Sequence, residues 1–196
     1  PFSPTTLSAG VADQVRAVRA EGGVWRQDDG ALLALRGGDA AAWLHGQCSQ
    51  AITDIEPGRG RAATMLTPGG ALVDAFEVLG AEQSLILLVA RQRVQALMQQ
   101  FDAYIFGEDV QLELLQAETQ ALWIQGRRAA EVLADFDASI ALSVQDRCWI
   151  EREDLIWVRR SHTGEAGVMV LGTEEPIELL QDHILAVAAG RLRPYG

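Results

Sequence analysis

Short apolar runs separated by polar, glycine-rich segments extend through the chain, and the apolar residues follow two different periods. Residues 31–35 and 84–90 are continuously apolar, which is typical of strands that are buried on both faces of a sheet. Between residues 91 and 104 the apolar residues instead recur at i, i+3, i+4 and i+7, starting at Val94. Strand and helix periods therefore alternate, and the pattern predicts an α+β fold.

The same patterns place the remaining elements. Strands are predicted at residues 31–35, 62–66, 71–79, 84–90, 110–114, 120–124, 140–142, 148–150, 155–158 and 168–171, and helices at 9–21, 40–50, 91–104, 129–136 and from 174 onwards. Turns are predicted at 28–30 and 67–70, and 110–114 alternates like an edge strand. We expect mixed or antiparallel sheets with packed helices, arranged as two βαββαβ-like halves. An N-terminal helix and lead-in over residues 1–30 would precede one continuous domain over residues 31–196.

Two polar sites interrupt this apolar framework. Ser161 to Glu165 connects two β-prone runs as a glycine hairpin, so His162 and Glu165 would be exposed on a turn. Asp74 lies within a predicted strand and would share a face with Leu72 and Phe76. A carboxylate among apolar neighbours is either a candidate base or ligand group, or an ordinary solvent-facing residue of a half-exposed strand.

Composition and charge limit the classes of function. No apolar run reaches the ~20 residues that a membrane helix needs. The formal net charge is −11, which disfavours a nucleic-acid partner. The two cysteines, Cys48 and Cys148, are too far apart to indicate a disulfide framework or a zinc site, so we expect a reducing cytoplasm. No metal-ligand spacing is completed around His45, and no metal is predicted.

Four motifs, taken together, resemble the folate-binding domain of the glycine cleavage T-protein (aminomethyltransferase) and of the YgfZ-type folate-binding proteins. Residues 43–76, WLHGQCSQAITDIEPGRGRAATMLTPGGALVDAF, resemble the family pattern FLQGQ…ND…L.PG.G…LLTP.G.I.DD. Residues 101–113, FDAYIFGEDVQLE, are similar to the segment after its next helix. Residues 159–170, RRSHTGEAGVMV, resemble R.GYTGE.G.EI, and residues 189–196, AGRLRPYG, resemble the end of LRLEAGIPRYG. The chain ends before the C-terminal barrel of the family, which we expect to be absent.

The resemblance implies a fold, a cofactor and a set of site residues. The family binds tetrahydrofolate in this domain, where an acidic group holds the pterin and an Asp assists one-carbon chemistry. On the matched positions, Asp74 and His162 would be catalytic. Cofactor-binding positions would be Glu165, Arg160, Met169 and Ala90. Met169 stands where the T-proteins have a Glu that is expected to grip the pterin, and Ala90 stands where they usually have an Asn.

The function that the resemblance favours is a tetrahydrofolate-binding, aminomethyltransferase-like enzyme of one-carbon transfer. Two alternatives stay open at this point. One is a YgfZ-like accessory factor in iron–sulfur or tRNA-modification metabolism, which leaves a protein partner open. The other is a shortened family member in which the inherited pocket carries folate-independent chemistry on another small molecule.

Overall fold

A long strand, β1, lies at the centre of the fold and connects its two halves. The computed structural model describes residues 13, 16, 18–136, 148–162 and 164–195. In these ranges the strands are β1 (Gly23–Arg36), β2 (Gly60–Leu66), β3 (Leu72–Gly80), β4 (Ser84–Ala90), β5 (Gln111–Gln125), β6 (Trp149–Arg152), β7 (Leu155–Arg159), β8 (Gly167–Gly172) and β9 (Arg193–Tyr195). The helices are α1 (Ala40–Gln47), α2 (Val94–Asp102), α3 (Ala129–Phe136) and α4 (Glu174–Ala188).

These strands form one mixed sheet in the order β2-β3-β4-β1-β5-β8-β7-β6. Neighbours along this path are antiparallel, and β9 pairs in parallel with the start of β1. The second half of β1 pairs with β4, whereas β5 pairs with β1 along nearly the whole length of β1. Each half of the sheet therefore depends on the same two long strands, and the predicted α+β fold with two related halves is confirmed.

Alternation along the strands divides the core into two helix-facing layers and a third layer between the halves. Leu33 and Leu35 belong to a cluster covered by α1 and α2, while Leu122 and Ile124 belong to one covered by α3 and α4. Since successive strand residues face opposite sides, Trp123 and its neighbours point away from the helices. They form the third cluster, which lies on the inner face of the sheet and also contains Leu32, Leu79, Ala121, Val158, Met169 and Leu171.

Hydrogen bonds between distant ends of the sheet show that it curls. The Trp149 backbone N–H donates to the Gly58 carbonyl over 2.9 Å, and its indole N–H donates to the Gly80 carbonyl over 3.0 Å. Beside them, the Arg59 guanidinium donates to Cys148 Sγ over 2.6 Å. The strand β6, at one end of the sheet order, is thereby held against the loop before β2, at the other end. The inner face becomes a concave space.

Two strand predictions were wrong, for a common reason. The predicted turn at 28–30 is part of β1, and the predicted strands at 110–114 and 120–124 are one strand, β5, paired with β1 along most of its length rather than lying at an edge. Register shifts between Gln27 and Leu33 take up the irregular polar residues without ending either strand. Polar, turn-like residues at a bulge are not distinguishable by sequence from a true turn.

Most other predicted elements are confirmed to within a few residues, and the helix predicted at 129–136 has the same bounds in the structure. Of the helix predicted at 9–21, residues 13, 16 and 18–20 are described and helical. The strand predicted at 140–142 lies outside the described residues. No helix in the described part of the chain combines the length and apolar character of a membrane span.

Candidate functional site

A cavity of about 390 Å³ opens on the concave inner face of the sheet, between its two halves. Its volume falls within the range of small-molecule sites. The strands β2, β3 and β4 line one side, and β1, β5 and the β7–β8 connection line the other. The polar and aromatic residues that contribute side chains or backbone to the lining are Gln27, Asp29, Ser49, Thr64, Phe76, Glu77, Thr119, Trp123, Arg160 and His162.

Trp123 forms a wall of the cavity, and its neighbours fix the orientation of its ring. The indole stacks on Trp25 with centroids 6.1 Å apart and an interplanar angle of 14°. Its N–H donates to Gln27 Oε1 over 3.1 Å, and Gln27 Nε2 in turn donates to Asp29 Oδ1 over 2.9 Å. Trp123 is only 3% exposed, so these contacts hold the indole as a fixed part of the cavity wall.

A buried ion pair joins the two halves of the fold inside this cavity. Glu77 on β3 is only 5% exposed, and Arg160, directly after β7, forms a salt bridge to it through Nη1 and Oε1. The Arg160 guanidinium also lies 5.6 Å from the centroid of the Trp123 ring, in cation–π range. The cavity therefore contains a paired positive and negative charge next to an aromatic surface.

His162 lies at the rim of the cavity, where the hairpin crosses it. Its ring centroid is 4.2 Å from that of Trp123, with the planes tilted by 44°. Burial against the protein lowers the pKa of His162, and the nearby Arg160 charge lowers it further. The imidazole is thus kept neutral at physiological pH, so it can accept a proton.

A buried glutamine holds the hairpin at this position. Gln125 is completely buried, its Oε1 accepts from the His162 backbone N–H over 2.9 Å, and its Nε2 donates to the Arg160 carbonyl over 3.4 Å. The segment that follows β7, Arg160 to His162, is therefore tied to the end of β5. Arg160 and His162 owe their placement to this residue as much as to the glycine turn.

Thr119 contributes a buried hydroxyl beside the cavity. Its side chain is 1% exposed, it lines the cavity, and among the described residues Oγ1 has no hydrogen-bond partner. A buried hydroxyl without a partner costs roughly 1–3 kcal/mol. By contrast, Ser49 Oγ and Thr64 Oγ1, which also line the cavity, bond each other over 2.6 Å.

The structure brings four of the six predicted site residues to this cavity. Arg160, His162, Met169 and Ala90 all line it. Met169, on β8 opposite Trp123, is 1% exposed and contributes an apolar thioether to the wall. Ala90 lies at the end of β4 opposite Gly30.

The other two predicted residues, Asp74 and Glu165, are not among the lining residues. Asp74 shares the helix-facing side of β3 with Phe76, as predicted, and is 7% exposed. Its Oδ2 accepts from Arg93 Nε over 3.1 Å and its Oδ1 from the Ala75 N–H over 2.9 Å. Glu165 is half-buried in the hairpin turn. The catalytic role of Asp74 and the binding role of Glu165 stay predictions.

Sequence reasoning missed four further residues that line the cavity: Glu77, Thr119, Trp123 and Gln27. The orientation of Glu77 could have been predicted, because a residue three positions after Asp74 in a strand must face the opposite side of the sheet. Thr119, Trp123 and Gln27 had no such signal, since their convergence depends on the bulged pairing of β1 with β5.

Comparison with known proteins shows the family. The family model described as the GCVT N-terminal domain matches residues 2–196. This chain belongs to the GCVT N-terminal domain family. The predicted relationship to the glycine cleavage T-protein domain is therefore confirmed.

Two curated relatives of the GCVT domain are aminomethyltransferases of Geobacillus. That of Geobacillus kaustophilus (strain HTA426) is 25% identical over 185 residues, which are 91% of this chain and 50% of the relative. That of Geobacillus sp. (strain WCH70) is 24% identical over 181 residues, 89% of this chain and 50% of the relative. The chain thus spans about half the length of these curated relatives.

A solved structure shares the fold. The glycine cleavage system aminomethyltransferase T from Bartonella henselae matches with a TM-score of 0.78 at 22% identity, over 98% of this chain and 53% of that one. The curled GCVT sheet with its helices on the outer face is therefore an aminomethyltransferase-like domain.

Proposed function

We propose that this domain binds a reduced folate in the cavity inside the curled sheet and takes part in one-carbon transfer. The observation that carries the proposal is the cavity itself, which in a GCVT N-terminal domain combines an aromatic wall, formed by Trp123 and His162, with a buried hydroxyl that has no described protein partner. Folate has a flat heterocycle with several hydrogen-bonding groups at its edge. Contact with this aromatic wall and a hydrogen bond to Thr119 would match these two features.

The lining residues fit such a ligand in shape and in hydrogen-bonding capacity. The flat ring would lie against Trp123, between β5 and the opposite wall of β3 and β4. Glu77 and Asp29 supply carboxylate oxygens for ring N–H groups, and Arg160 supplies a cation. Met169 contributes only apolar contact, so a folate here is held by a different set of polar groups from that implied by the family pattern.

The chain's own residues have three roles in this proposal. Trp123 and Thr119 contact the ligand, and the Arg160–Glu77 pair joins the two walls of the cavity. Neutral His162 at the rim accepts a proton from the reacting group. When bound, tetrahydrofolate would supply the nitrogen atoms that carry the one-carbon unit. The side chain of Asp74 lies on the helix-facing side of β3 and pairs with Arg93, so its catalytic role remains only a prediction.

Isothermal titration with tetrahydrofolate and 5-formyltetrahydrofolate tests this function. We expect binding at micromolar concentration, accompanied by a change in tryptophan fluorescence because Trp123 lies in the cavity. The Thr119→Val variant should bind about 3–10-fold more weakly, which corresponds to the ~1 kcal/mol of one neutral hydrogen bond. Without ligand, it should be at least as stable to urea as the wild type, since it removes an unpaired buried hydroxyl.

Thr173→Val is the matched control. Thr173 is exposed before α4 and makes no capping hydrogen bond with its side chain, so the substitution should leave folate affinity unchanged. An absence of binding by either folate up to high micromolar concentration would refute the proposal. It would favour folate-independent chemistry in the same cavity, the alternative to which the buried thioether of Met169 points.

A further inference from the structure

Five of the residues that line the cavity form a single row across the inner face of the sheet. Taken along β5, β1, β4, β3 and β2, they are Thr119, Gly30, Ala90, Ala75 and Thr64. Thr119 pairs with Gly30, which pairs with Ala90. Thr64 pairs with Ala75, and the antiparallel register of β3 and β4 brings Ala75 level with Ala90. The row therefore has a hydroxyl at each end and only glycine or alanine between them.

The middle of the row is open to a ligand. Ala75 and Ala90 are exposed on the inner face, whereas their strand neighbours Phe76 and Val89 are buried under the helices. A Cβ at Gly30 would lie 3.0 Å from the carbonyl oxygen of the paired Thr119, so the floor there is bare backbone. A flat, slender group can therefore lie across these strands.

Thr119 shows that a polar group belongs at the β5 end of the row. Its side chain is 1% exposed and lines the cavity, and Oγ1 has no hydrogen-bond partner among the described residues. The nearby Asp29 carboxylate already accepts from Gln27 Nε2 over 2.9 Å. A carboxylate cannot donate to a carbonyl oxygen of a ligand when it is ionised, so that task falls to the hydroxyls.

A pair of hydroxyls occupies the β2 end of the row. Ser49 Oγ and Thr64 Oγ1 lie 2.6 Å apart, and either can be the donor. The backbones hold the pair in place, because Thr64 N–H donates to Ser49 Oγ over 3.3 Å and Ser49 N–H donates to the Thr64 carbonyl over 2.8 Å. Two hydroxyls carry two protons, and their mutual bond uses one. Within the described part of the chain the second proton has no acceptor, so the pair can donate it to a ligand.

We propose that this row is the subsite for the aminobenzoyl arm of the folate, with the amide carbonyl accepting from the Ser49–Thr64 pair. The inference rests on the proposed folate-binding function. The heterocycle lies on the β5 side, near Trp123, and the benzoyl ring crosses over Ala75 and Ala90. Strands are ~4.8 Å apart, so the row extends over roughly 19 Å along the sheet and less across its concave face. Neutral hydroxyls of β2 and its preceding loop then select a folate over a free pterin.

Two ligands test this subsite: 5-formyltetrahydrofolate and 6-methyltetrahydropterin, which lacks the arm and is measured by competition. The double variant Ser49→Ala/Thr64→Val removes both donors. It should bind the folate about 3–10-fold more weakly, the effect of one neutral hydrogen bond, and the pterin as tightly as the wild type does. Ser49→Ala and Thr64→Val alone each keep one hydroxyl and should lose less than the double variant.

Thr67→Val is the matched control for the hydroxyls. Thr67 Oγ1 accepts from the Ala71 N–H in the turn between β2 and β3, and it is not among the residues that line the cavity. Its loss can lower stability to urea but should leave both affinities unchanged. A selective loss in the double variant is thus not an effect of a weakened hairpin.

A substitution in the floor of the row gives a second test. Ala75→Leu places a larger side chain where the benzoyl ring lies, so it should weaken folate binding about 10-fold or more and pterin binding much less. Ala117→Leu is its control, because Ala117 is exposed on β5 and does not line the cavity. Urea unfolding of each variant shows that it is folded.

The outcomes separate this inference from the proposed function. If the wild type binds the folate and the double variant binds it equally well, or loses the same factor for the pterin, the pair does not hold the arm and the inference is wrong. Equal losses in Thr67→Val, or an Ala75→Leu variant with unchanged folate affinity, would overturn it as well. If the wild type binds no folate, the proposed function itself fails and this inference fails with it.

Discussion

At the scale of single residues, His162 shows how packing lowers the pKa of a loop side chain. Burial disfavours the imidazolium, and the Arg160 charge disfavours it further. Glu77 faces the same space and holds Arg160 by a salt bridge, so the cation stays close to the ring. The neutral imidazole is therefore a consequence of packing around the hairpin.

This lowered pKa predicts a pH dependence of stability. Unfolded His162 titrates near ~6.5, while the folded residue titrates lower, so below this pH the unfolded state binds more protons. The stability contribution of the neutral side chain is present above ~6.5 and is lost as the pH falls through the folded pKa. The free energy of unfolding of the wild type should exceed that of His162→Gln by more at pH 7.5 than at pH 5.

Proton–carbon correlation spectra recorded over the same pH range measure the pKa directly. The imidazole resonance that disappears in His162→Gln belongs to this residue, and its midpoint should lie below ~6.5, the value of an unperturbed histidine. A midpoint at or above that value would contradict the burial of His162 against Trp123. The effect on stability is small, because the side chain is exposed at the rim and is screened by solvent.

The alternation of residues between the two faces of a strand could have predicted one more cavity residue than was predicted. The sequence placed Asp74 on the face of Phe76, and the structure confirms this. The same alternation puts Glu77 on the other face, where the cavity lies. The resemblance drew attention to Asp74 and to the hairpin, but only three-dimensional pairing shows which face of β3 is concave.

At the scale of secondary-structure elements, glycines fix how β5 passes into α3. Gly126 has a φ of +116°, and a Cβ there would collide with the backbone carbonyl oxygen of Val18 and the Cα of Gly22. The connection therefore needs both a left-handed conformation and the close approach of two backbones. Any side chain at this position would displace the segment before β1 or the start of α3.

Gly126→Ala should destabilise the protein by about 2–4 kcal/mol, the sum of a left-handed alanine and an overpacked contact. Gly70→Ala is the matched control. Its φ is +84°, but a Cβ there meets nothing within 4 Å, so only the conformational cost of about 1–2 kcal/mol applies. Urea unfolding of both variants measures the difference. Equal losses would show that the segment around Val18 moves away at no cost.

The elements also show where sequence patterns stop being informative. Helices and apolar strands such as β4 and α3 were predicted with nearly correct bounds, because burial imposes their period. The long strand β5 was predicted as two strands and β1 as a turn followed by a short strand, because their polar central residues occupy bulges beside the cavity. The residues that line the cavity therefore lie where the hydrophobic pattern along the chain is irregular. Their positions depend on the pairing of strands that are distant in sequence, which the spacing of neighbouring residues does not show.

At the scale of the whole molecule, the two halves should unfold as one unit. The strands β1 and β5 belong to the sheet in both halves. The hydrogen bonds from Trp149 to Gly58 and Gly80 join β6, at one end of the strand order, to residues beside β2 and β3, near the other end. The cavity has walls from both halves, and the Glu77–Arg160 pair crosses between them. Neither half has a complete sheet or a complete site without the other.

Amide hydrogen exchange with and without folate tests this cooperativity. The most protected amides of β4, in the first half, and of β8, in the second, should have the same opening free energy, because both exchange only on global unfolding. At a ligand concentration 100 times the Kd, both should gain about 2.7 kcal/mol. Unequal opening free energies without ligand, or a gain confined to one half, would show that the halves open independently. In that case the ligand would be held by one wall of the cavity.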